Sequence, residues 1–160
     1  MFKVSFKETE TSPSKVVMRA GNFTEVTLKG TIKVPEFWPY IPKEIDEWVR
    51  RSNHVEIYED MAKGIFIIFV QGVSKCHPDD KMDNMLGERL AESRAKKNLY
   101  RFLFQLCDKL CVYYADLMGI VIATTPCDGG LTDARIKYLR LYNAECKHER
   151  ALLNNTGNGK

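Results

Sequence analysis

The stretch from Ile65 to Met118 constrains this chain more than any other. A β-branched and aromatic run, Ile65 to Val70, leads into a polar Pro-Asp turn and then into a persistent helical pattern. A short continuous apolar run of this kind predicts a strand, and the lack of alternation predicts a central strand buried on both faces. Gly72 and the segment Cys76-His77-Pro78-Asp79-Asp80 end it, and Asp80 or Asp83 is expected to cap the following helix. Along that helix Ala95, Leu99, Phe102, Leu103, Leu106, Leu110, Tyr113 and Leu117 share one arc, while Arg94, Lys97, Arg101, Gln105 and Asp108 share the opposite one. About thirty residues at ~1.5 Å each make a rod on the order of 45 Å, longer than any sheet this chain can build. Its second half must therefore lie against a C-terminal helix or a second subunit. Tyr100, Phe104, Cys107, Cys111 and Tyr114 widen the apolar arc there, so burial on two sides is expected.

The rest of the chain supplies the sheet. Phe2, Val4 and Phe6 alternate with polar residues, Lys15 to Ala20 forms a second strand, and Gly21-Asn22 marks a turn. Val26, Leu28, Ile32 and Val34 alternate along a third strand, with Gly30 as a candidate bulge. Pro35 to Pro42 is a stiff aromatic connector, and Pro42 suits the first turn of a short helix, residues 43–52, buried through Ile45, Trp48 and Val49. His54 to Glu59 then forms a hairpin with the Ile65 strand. Thr132 or Asp133 starts a last helix, about 132–152, with Ile136, Leu139, Tyr142 and Cys146 at helical spacing; residues 154–160 read as a frayed tail. The expected architecture is α+β: an antiparallel sheet region over residues 1–83 with a short helix, then a helical region over 84–153 whose long helix spans about 84–118.

Composition excludes several classes. The 160 residues are 44% hydrophobic and 28% charged, an ordinary globular balance. No apolar run approaches ~18 residues, so no membrane span is expected, and the N-terminus lacks an apolar signal core, which predicts a cytoplasmic location. Five cysteines at irregular spacing suit reduced core thiols better than a disulfide framework. The net charge of +3 is too small to imply nucleic acid by itself.

One motif carries a resemblance. Lys75, Cys76, Pro78, Asp80, Met82 and Asp83, followed by Gly87, Ala91, Arg94 and Ala95, resemble a pattern found in small proteins encoded by bacteriophages and prophages: a strand ending near K-C-x-P-x-D, then G-x-x-x-A-x-x-(R/K). Met82 stands where the pattern usually has Phe. The hairpin and helix are also similar to the second half of a double-stranded-RNA-binding-like fold. The resemblance covers about a quarter of the chain. It implies a phage accessory protein, a group in which some members antagonise bacterial immune systems.

Chemical candidates follow from residue type and spacing. Cys76 and His77 with Asp79, Asp80 and Asp83 are read as helix-start residues rather than a metal site, because adjacent extended residues point to opposite faces. Cys107 and Cys111 are expected as buried thiols, with a zinc site shared with Cys146 and His148 as the alternative. His54, His77 and His148 sit in no catalytic motif, and no phosphate-binding glycine loop is present, so neither an enzyme nor a cofactor is expected. The cations Arg89, Arg94, Lys97 and Arg101 on the long helix, and Arg135 and Arg140 on the last, are candidate contacts for nucleic acid or another anionic partner. Phe37, Trp38 and Tyr40 are candidate aromatic anchors, or else a cap on one end of the sheet. The expected function is a non-enzymatic antagonist that neutralises a bacterial host-defence component, either a protein such as a CRISPR effector or a signalling nucleotide. The alternative is a nucleic-acid-binding module using the basic helix face. A homo-oligomer through the long helix is expected.

Overall fold

A computed structural model describes residues 4–5, 14–33, 38–60, 62–76, 83–117 and 130–157. In chain order these form β1 (Val4–Ser5), β2 (Lys15–Ala20), β3 (Phe23–Lys33), a 3-10 turn at Trp38–Tyr40, α1 (Lys43–Arg50), β4 (Val55–Asp60), β5 (Ile65–Lys75), α2 (Asn84–Leu117) and α3 (Leu131–Gly157). The expected α+β architecture is present. The sheet is antiparallel, in the order β1-β3-β5-β4, with β2 sharing the outer edge of β3 with β1. Gly21, at φ 59°, closes the two-residue turn between β2 and β3.

One face of this sheet carries the core. Val26, Leu28 and Ile32 of β3 and Phe66, Ile68 and Val70 of β5 alternate inward beneath α2. Gly72 is where the helix comes closest: a Cβ there would stand 2.2 Å from the Ala91 carbonyl oxygen and 2.3 Å from the Ala95 nitrogen. Ala91 and Ala95 are both fully buried, and Gly87 sits one turn earlier over Thr24 and Ser74. Ser74 Oγ donates to the Gly87 carbonyl at 2.7 Å. Gly87, Ala91 and Ala95, together with Gly72, are thus the small residues that let a helix lie directly on a strand. Asp83 caps α2, accepting from the Leu86 N–H at 3.0 Å.

α3 runs back along α2, and the second half of α2 is buried on two sides as expected. Leu99, Phe102, Leu103, Leu106, Cys107 and Cys111 of α2 lie in one buried cluster that includes residues of the sheet and α1 and Leu131, Ala134 and Tyr138 of α3. Charge pairs flank the long helix on both sides. Lys15 and Arg19 of β2 reach Glu88 at 2.7 Å, and Lys15 also reaches Glu92 at 2.7 Å. From the other side Glu149 of α3 accepts from Arg94 at 2.8 Å and from Lys97, and Glu145 accepts from Ser93 at 2.9 Å.

Five expectations need correction. β5 is central in strand order, but among the described residues helices pack on only one of its faces, and Ile65, Ile67 and Phe69 on the other are half-buried. The buried seam of α3 is Leu131, Ala134, Tyr138 and Leu152, whereas Ile136 and Leu139 are exposed, because the pairing with α2 selects a stripe two residues away. α3 continues to Gly157, into the expected tail, whose residues 158–160 lie outside the described residues. β3 pairs with β5 residue for residue from Phe23 to Lys33, so Gly30 is not a bulge. Pro42 sits at the N-cap of α1, its carbonyl accepting from Ile45 at 3.0 Å, rather than within the first turn. Phe2, Phe6, Val34, Phe37, residues 77–82 and residues 120–123 lie outside the described residues. Among those described, no helix is long and apolar enough to cross a membrane.

Candidate binding groove

β4 is shorter than β5, and a concavity lies beside this mismatch. Beyond Val70 the β5 backbone stays paired with β3 but has no strand on its β4 side among the described residues. Its Gln71 N–H donates to the His54 carbonyl at 3.0 Å, and side chains from α2 complete the job: Asn98 Nδ2 donates to the Gln71 carbonyl at 2.9 Å and Arg94 to the Val73 carbonyl at 2.8 Å. Next to this notch, the end of α1, the Arg51–His54 connection and the middle of α2 enclose a groove of about 390 Å³, within the size range of small-molecule sites.

Its lining combines an aromatic wall with cations and amides. Trp48 of α1 stacks on Phe102 of α2, with ring centroids 5.3 Å apart and planes 3° from parallel, and the Lys109 ammonium lies 5.1 Å from the Trp48 ring. Arg51, Ser52, Asn53, His54, Asn98, Arg101 and Gln105 supply the polar surface. Arg51 holds only a long 3.8 Å contact to Glu47, and Arg101 makes no ion pair among the described residues. Asn98 has committed its NH₂ to Gln71, which leaves its Oδ1 as an acceptor. His54 adopts φ 64°, the one positive φ outside glycine among the described residues. Such a conformation is uncommon for a side chain with a Cβ and costs on the order of 1 kcal/mol.

The sequence-nominated cations separate into three groups. Arg94 and Lys97 bind Glu149, and Arg135 binds Asp108 at 2.9 Å, so these three join α2 to α3. Burial works against ionisation of Glu149, but the hydrogen bonds from Arg94 and Lys97 outweigh it and hold the carboxyl below the usual value of 4.5. Arg89 and Arg140 are exposed and make no ion pair among the described residues. Only Arg101 lies in the groove. The aromatic trio also divides: Trp38 is buried at 7% exposure, edge-on to Phe66 at 4.8 Å, and caps the sheet, whereas Tyr40 is 80% exposed. Cys107 and Cys111 are buried thiols, and burial pushes Cys107 up to about 12. No cluster of three or more His, Cys, Asp or Glu residues positioned for a metal occurs among the described residues.

Sequence reasoning missed Trp48, Arg51, Asn53, His54 and Asn98 as members of one site. Their signal was faint: the polar run Arg51-Ser52-Asn53-His54 directly after an amphipathic helix. Comparison of the chain with protein-family models, with curated proteins and with solved structures yields no match.

Proposed function

We propose that this chain is a non-enzymatic, phage-type accessory protein that neutralises a host-defence pathway by sequestering its nucleotide signal in the groove between α1 and α2. The observation that carries this reading is the convergence of Arg101, which has no ion pair among the described residues, with Arg51 against the stacked Trp48 and Phe102. Guanidinium groups match phosphate geometry, the edge of the Trp48–Phe102 stack gives the groove an apolar border, and the amides of Asn53, Asn98 and Gln105 can hydrogen-bond a base. The motif resemblance to phage proteins supports the biological setting. The nucleic-acid reading loses two of its main contacts, because Arg94 and Lys97 are engaged by Glu149.

The test is calorimetric titration with ADP and with cyclic di-AMP as representative ligands. Arg101→Glu should weaken binding at least ~10-fold, the effect of removing one charge-assisted hydrogen bond, while Arg89→Glu and Arg140→Glu leave it unchanged. Absence of binding to either ligand by the folded protein rejects the reading. Binding to RNA or DNA that collapses with added salt and depends on Arg89 as much as on Arg101 would favour the nucleic-acid module instead.

A further inference from the structure

The face of the sheet turned away from α2 carries the second inference, which does not depend on the groove. Along β5 this face presents Ile65, Ile67, Phe69 and Val73, with the polar Gln71 and Lys75 towards the end of the strand; Ile65, Ile67 and Phe69 are half-buried and Val73 is exposed. Tyr58 of β4 lies beside Ile67, packing edge-on to Phe69 at 5.7 Å. Val16 and Met18 of β2 and Phe23 of β3 are exposed on the same side. An antiparallel sheet with one solvated face ordinarily alternates apolar and polar residues, and β5 from Ile65 to Val70 does not.

The charges flanking this stripe are arranged in a self-complementary way. Lys29 of β3 and Glu56 of β4 both pair with Phe69, from opposite sides; Lys33 and Asp60 likewise both pair with Ile65. The β3 side is therefore basic and the β4 side acidic at two matching levels. A two-fold axis running along β5 carries β3 of one copy over β4 of the other. It sets Lys29 opposite Glu56 and Lys33 opposite Asp60, twice each, while the β5 stripes meet at the centre. An axis in the sheet plane but across the strands would instead bring Lys29 against Lys33 and Glu56 against Asp60. Aligned sheet packing rotates the two sheets by about 30°, a shift of only a few ångströms at neighbouring strands and within reach of a lysine. Strand spacing and rise give this face roughly 500–700 Å² per copy, enough for a pair to reach the ~1,000 Å² expected of a specific interface.

We propose that this open sheet face is a homodimer interface, two copies packing face to face about a two-fold axis along β5. This places the contact on the sheet rather than on the long helix, whose apolar arc is largely occupied by the sheet, α1 and α3. The two binding grooves then point outward, on the helix-covered sides of the dimer.

Sedimentation equilibrium of the full chain tests it. The wild type should be a dimer at micromolar concentration. Lys29→Glu sets two glutamates together at each of two symmetry-related contacts and should weaken the dimer about tenfold or more; Glu56→Lys should do the same with two lysines. The double variant, K29E with E56K, should recover wild-type affinity to within about threefold. Circular dichroism of each variant establishes that it is folded. A folded wild type that stays monomeric overturns the proposal. So does a dimer that the single swaps leave intact, or one that the double swap fails to restore.

Discussion

Gly72 shows how much one missing side chain can decide. Its Cα faces the backbone of α2 itself, at Ala91 and Ala95, so there is no flexible side chain to yield. Gly72→Ala is expected to lower stability by about 3 kcal/mol or more, at the upper end of overpacking costs, read as a shift in urea midpoint. Gly64, which owes its place to a φ of 59° with open space around it, should lose only about 1 kcal/mol in the same substitution. His54 is the converse case, a left-handed residue that keeps its side chain. His54→Gly should leave stability within about 1 kcal/mol of wild type, since relief of strain and extra backbone freedom oppose each other; nucleotide affinity should fall, a split that calorimetry and thermal melts separate. The thiols offer another residue-scale check. Cys107 and Cys111 should label with maleimide only on unfolding, whereas the half-buried Cys76 and Cys146 react first, as peptide-resolved mass spectrometry would show.

The join between α2 and α3 is the element-scale counterpart. Glu149 takes two cations from α2, and Glu149→Gln should cost about 1–2 kcal/mol, because the replacement amide leaves Arg94 and Lys97 less well matched. Because the folded carboxyl sits below its usual 4.5, its contribution is complete above that pH and is lost as pH falls through the depressed value. Wild type and variant should therefore converge as the pH falls below 4.5 in urea titrations. Elements were legible in the sequence where a period spoke for itself: β5 by its composition, α2 by its length, the β2–β3 turn by Gly21-Asn22. The face of α3 was not, because Ile136, Leu139 and Tyr142 have helical spacing as good as Leu131, Ala134 and Tyr138, and only the partner helix chooses between them. The groove was illegible for a related reason. Arg101 and Gln105 were visible on the polar arc, but Trp48, Asn53 and His54 come from another part of the chain, joined to them only by tertiary packing.

At the level of the whole molecule, the proposed dimer rests on the sheet face that carries no helix among the described residues, and it ties stability to concentration. If two copies pack through that face, the melting temperature should rise with protein concentration across the micromolar range, and K29E should flatten that dependence. The helix-covered side behaves independently: nucleotide should raise the melting temperature of wild type and K29E alike, and of R101E much less. The notch left by the short β4 has a consequence of its own. Among the described residues, Gln71 to Lys75 has no strand on its β4 side, the kind of edge onto which a foreign strand can add itself and seed fibres. Asn98 and Arg94 occupy its outward carbonyls at Gln71 and Val73, so the side chains that dock α2 also keep the sheet from growing into a polymer.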